Sequence, residues 1–111
     1  MARSIKRSVA LFAGALMWIA VKPAVAWDGT VTGTITSIQI ANATNQAFRV
    51  FLSGISTVCV NGASWGYLNE ADSNYKTYVA GLLLAKAQGS TVTLYSMLEN
   101  GYCHIGYVSI N

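Results

Sequence analysis

Residues 31–40 alternate apolar and polar side chains up to Ile35, and then the apolar phase slips by one position before Ile38 and Ile40. Period-two alternation marks a strand with one buried face, and a slip in phase marks a bulge or strong coil, here near Thr36-Ser37. Asn42, Thr44 and Asn45 form a turn cluster, after which residues 47–53 alternate again with Phe48, Val50 and Leu52 on one face. These two segments are predicted to pair as a hairpin. A break over residues 54–56 leads to a short third strand, residues 57–60, which the turn pair Asn61-Gly62 ends.

From Asp72 the period changes. Tyr75, Tyr78, Val79, Leu82 and Leu83 recur at helical spacing, with Asp72 or Ser73 placed to cap the helix and Gly89 to stop it. Glu70 and Asp72 near its start and Lys86 near its end suit the helix dipole. Alternation resumes over residues 91–97, Glu99-Asn100-Gly101 makes a turn, and residues 102–110 form the last strand. The predicted chain is mainly β with one helix, in the order β-β-β-α-β-β. That is the order of an OB-fold-like five-stranded barrel, and a long first strand that bends would serve both of its sheets. The alternative is an open α+β sheet with one helix packed on it.

The N-terminal pattern is of another kind. Arg3, Lys6 and Arg7 precede an uncharged apolar run, residues 8–21, and then Lys22-Pro23-Ala24-Val25-Ala26. This is the three-part pattern of a signal peptide, residues 1–26, with cleavage after Ala26. A spanning helix needs about 20 apolar residues, so the run is too short for a retained anchor, and Trp27 after the site is not a lipid-bearing cysteine. The expected product is one domain, residues 27–111, in the periplasm or secreted. Cleavage also reverses the charge argument, because four of the seven basic residues leave with the leader. Arg49, Lys76 and Lys86 then face Asp28, Glu70, Asp72 and Glu99, so the pI of about 9.0 describes only the precursor. Three scattered bases make no phosphate-binding patch, which argues against nucleic acid as a partner.

Cys59 and Cys103 are the two cysteines of the chain, and both lie in the exported part. In an oxidising compartment their expected state is a disulfide. Closing a loop of that span would remove denatured-state entropy worth about 4 kcal/mol, a large share of a small domain's stability.

Candidate chemistry is sparse. Cys103 and His104 are neighbours on a strand and so point to opposite faces, which rules out a nucleophile–base pair in place. His104 is the sole histidine, reads as a partly exposed strand residue, and gives a metal site no second imidazole. Glu70 and Asp72 could do carboxylate-pair chemistry, but their place at a helix start explains them as capping and dipole residues. No metal, cofactor or catalytic motif is predicted, and Asn42-Ala43-Thr44 reads as a turn. The aromatics have the functional edge: Trp27, Trp65, Tyr67, Tyr95, Tyr102 and Tyr107 are more rings than a small core easily encloses. Exposed rings with polar tips stack on sugars or fill partner pockets.

Cys59, Trp65, the Tyr- and Leu-rich helix and the run Gly89-Ser90-Thr91-Val92-Thr93-Leu94-Tyr95 resemble the B subunits of AB5 toxins of the subtilase cytotoxin and typhoid toxin type. The resemblance covers residues 48–95. It implies an exported OB-fold that forms pentamers and binds sialylated glycans. The chain departs from that family in lacking a second cysteine before the helix and a longer C-terminal region, and none of the family's glycan contacts maps onto it. It also resembles small secreted proteins of Gram-negative bacteria. The expected function is a non-enzymatic binding module for a glycan or protein partner, able to form a homo-oligomer, with Trp65, Tyr67 and Tyr102 as ligand contacts. The alternatives are a structural or inhibitory periplasmic protein acting on a protein partner, and a small hydrolase using Glu70 or Asp72.

Overall fold

The computed structural model describes residues 26–111, so the predicted leader lies, apart from Ala26, outside the described residues. Five strands and one helix follow in the order predicted: β1 (Gly29–Ile40), β2 (Phe48–Leu52), β3 (Gly66–Leu68), α1 (Tyr75–Gln88), β4 (Thr91–Glu99) and β5 (Tyr102–Ile110). The strands form a mixed sheet in a ring, β1-β2-β3-β5-β4, in which each has two neighbours, unlike an open sheet.

β1 makes the ring possible by serving two partners. Its first half pairs antiparallel with β4, Gly29 opposite Ser96 through Thr34 opposite Thr91. Its second half pairs with β2, from Ile35 opposite Leu52 to Ile40 opposite Phe48. The register shifts between Ile35 and Ser37, where the apolar phase of the sequence slips. An extra residue bends and twists a strand, which swings β1 from one neighbour to the other. β3 closes the circuit by running parallel to β5, with Gly66 opposite Cys103 and Tyr67 opposite His104.

The third strand differs from expectation. Residues 57–60 form a turn that buries Val58 and Cys59, and the strand lies at Gly66–Leu68. The Asn61-Gly62 signal is real, but its turn is closed locally, Val58 N–H donating to Ala63 O at 2.9 Å and Gly62 N–H to Cys59 O at 2.9 Å. Cys59 is then held to Cys103 by the disulfide, Cα–Cα 5.8 Å, so the segment is fixed by a covalent tie in place of a ladder.

Ring and helix share one core of Phe48, Val50, Leu52, Leu68, Val92 and Leu94 from the strands with Leu82 and Ala85 from α1. Burying each large side chain contributes about 1.5–3 kcal/mol. The helix stops at Gly89 as expected, with Ser90 N–H on Ala85 O at 2.9 Å. Its start and facing differ from the sequence reading. Asn74 holds the boundary position with no side-chain cap, leaving Asp72 for other work, and Leu83 is 45% exposed while Ala85 turns inward. Among the described residues no helix is long and apolar enough to cross a membrane.

Candidate functional site

Strand alternation sends Phe48 and Val50, Leu68, and Cys103 and Ile105 into the core, so their neighbours Arg49, Tyr67, Tyr102 and His104 share the outer face of β2, β3 and β5. Register lines up Arg49, Tyr67 and His104 in one row, Arg49 opposite Tyr67 and Tyr67 opposite His104. Trp65, just before β3, stacks on Tyr102 at the start of β5, centroids 5.1 Å apart and planes at 24°. The Arg49 guanidinium lies over the Trp65 ring at 4.3 Å, in cation–π range, while its Nε donates to Gln46 O at 2.9 Å. The disulfide pins both halves of this stack. Cys103 follows Tyr102 directly, and Cys59 opens the short loop that ends at Trp65.

Next to Trp65, Tyr67 is 3% exposed and lies flat against His104, centroids 4.7 Å apart and planes at 9°. Of the three predicted contacts, Trp65 and Tyr102 come together in the stack, whereas Tyr67 is buried and meets Trp65 edge-on at 6.4 Å. The Tyr67 hydroxyl donates to Glu99 Oε1 at 3.4 Å. Burial, then the charge and hydrogen bond of Glu99 and the charge of Asp72, push its pKa up to about 12.

The sequence reading missed what His104 does. Its Nε2 lies 2.7 Å from Asp72 Oδ2 and its Nδ1 lies 3.0 Å from Glu99 Oε2. Asp72 Oδ2 also accepts from Asn69 N–H at 2.8 Å, closing the turn before α1. Burial is the largest influence on His104 and opposes its charge, but the hydrogen bonds to Asp72 and Glu99 and the charges of both acids together raise its pKa above 6.5. The two carboxylates meet different nitrogens of the ring, and among the described residues no three or more His, Cys, Asp or Glu side chains are grouped so that they could hold a metal ion. Glu70 stays exposed and is not paired with Asp72. A groove of about 260 Å³ runs beside the cluster, lined by Asp72, Tyr78, Met97, Glu99 and His104 among others.

Half of this cluster was within reach of the sequence. Asn100 and Gly101 take positive φ, 54° and 84°, and make a two-residue hairpin turn that sets Glu99 opposite Tyr102 and so near His104. Asp72 arrives from another part of the chain, and no local pattern announces it.

A second aromatic group stands elsewhere on the ring. Trp27 packs against Tyr95 at 5.9 Å, Tyr95 meets Tyr107 edge-on at 5.1 Å, and the Trp27 ring covers Gly106 so closely that a Cβ there would sit 2.7 Å from it. No protein-family model, curated protein or solved structure matches this chain.

Proposed function

We propose that the protein is exported, loses residues 1–26, and acts in the periplasm or outside the cell as a non-enzymatic binding module on an OB-fold-like barrel. Its ligand is a glycan, held on Trp65 and Tyr102. The observation that carries this reading is the Trp65–Tyr102 stack with Arg49 across it, pinned from both sides by one disulfide. Flat rings beside hydrogen-bond donors suit a sugar, whose apolar face stacks while its hydroxyls find polar partners, and a pinned platform loses little entropy on binding. The disulfide is compatible with the oxidising location proposed. The resemblance to toxin B subunits fits the same reading and adds self-association into a ring.

A glycan panel probed with the exported, oxidised protein tests it. Retention of at least one glycan, lost in Trp65→Ala and Tyr102→Ala, supports the reading; an empty panel, or retention unchanged in both variants, overturns it. The runner-up, a structural or inhibitory protein acting on a protein partner, is favoured by the exposed apolar side chains Leu84 on α1, Val60 and Ile40, at 57%, 67% and 72%. It predicts a partner recovered by cross-linking in the cell, through those residues and with no affinity for free sugars. A hydrolase using Glu70 or Asp72 has less in its favour, since the two acids are not paired and Asp72 is engaged by His104 and Asn69.

A further inference from the structure

We propose that His104 is a proton-operated latch for the aromatic face: as an imidazolium it ties the turn before α1, through Asp72, to the end of β4, through Glu99, and losing its proton opens one tie. A neutral imidazole carries a single N–H, yet both ring nitrogens of His104 face carboxylate oxygens, at 2.7 and 3.0 Å. Two such contacts need two protons. Imidazoles as a class bind protons more tightly than carboxylates, so the second proton belongs on the ring. Among the described residues these are the ion pairs that His104 makes, and the titratable Tyr67 from β3 packs on its ring. Tyr78 of α1 lines the same groove, with its hydroxyl given to Gly106 O at 2.9 Å. Arg49 of β2 lies one layer away, over Trp65.

When the ring loses its proton, a nitrogen lone pair is left facing a carboxylate, and the cluster's charge goes from −1 to −2. Glu99 is the arm that releases, because its side chain is 50% exposed against 19% for Asp72 and its contact is the longer. Its departure removes the partner of the Tyr67 hydroxyl, and Tyr67 is packed between His104 and the Trp65 ring, 6.4 Å from the latter. The face is therefore set in acid and slackens as the pH rises past the raised pKa of His104. The latch stands on this geometry alone; its effect on a ligand rests on the binding reading above.

Because His104 is the sole histidine, its ring signals in an NMR titration of the exported, oxidised protein are unambiguous. From about pH 5 to about pH 9 the window spans both sides of an ordinary histidine. The expected result is a midpoint above 6.5, with the Tyr67 ring and Trp65 indole signals moving at the same midpoint. Asp72→Asn and Glu99→Gln should each lower the midpoint, and His104→Gln should abolish the pH response of Trp65. A midpoint at or below 6.5, or Tyr67 and Trp65 signals that stay flat while His104 titrates, overturns the latch; the unsubstituted protein decides this even where a variant does not fold. An empty glycan panel beside a coupled titration removes the binding reading and leaves the latch standing.

Discussion

Two aromatic groups sit on this small ring, and they differ in what lies beside them. Trp27 covers Gly106, its ring filling the space a side chain would occupy, and packs on Tyr95, which meets Tyr107 edge-on. Trp65 and Tyr102 stack with Arg49 over Trp65, and the buried Tyr67 links Trp65 to His104 and its two carboxylates. The first group covers a bare stretch of strand, as rings do where a glycine leaves a sheet unfilled. The second has donors, charges and a covalent pin around it. An excess of aromatic residues is thus not itself a sign of binding; the two groups are told apart by their polar neighbours.

That contrast can be broken in graded steps. Removing both cysteines, Cys59→Ala with Cys103→Ala, should cost about 4 kcal/mol and disturb the platform first, as read by denaturant unfolding and the Trp65 signals. Trp27→Ala should cost about 2–3 kcal/mol, since it uncovers Gly106 and strips Tyr95 of a partner, while leaving glycan retention unchanged. Gly106→Ala should cost roughly 1–3 kcal/mol through overpacking against Trp27, and the loss should shrink in a Trp27→Ala background. Trp65→Ala should invert the pattern, with a stability change on the order of 1 kcal/mol and loss of retention.

The smallest effects are those of pH. His104 has its folded pKa raised above 6.5, so its contribution is complete below that value and is lost as pH rises through the folded pKa. The melting temperature should therefore fall across that window, and should not in His104→Gln. Tyr67 behaves in the same sense further up, its neutral phenol favouring the fold until the pH climbs from 10 towards about 12.

How much of this the sequence discloses follows from the range of each interaction. The bend in β1 was legible because a phase slip at Thr36-Ser37 is local, and the bend is what lets one strand serve both β4 and β2. The cysteine pairing was legible by counting. β3 was misplaced because Val58 and Cys59 look like strand residues, yet their burial comes from the disulfide cluster and not from a ladder. Asp72 was read as a cap because capping is the local use of an acid before a helix. Its partner, His104, is distant in sequence, and distance hides such pairs from any local pattern. Tyr67 was grouped with Trp65 on chemistry alone, and only the packing shows that Tyr67 is buried.

The chain from Trp27 onward carries two indoles, Trp27 and Trp65, so one titration tests the contrast directly. With a glycan retained on the panel added stepwise to the oxidised protein, the two indole N–H signals can be followed side by side by NMR. The Trp65 signal should move and saturate while Trp27 stays in place. Movement of Trp27 with Trp65 unmoved, or no movement of either, would contradict that contrast.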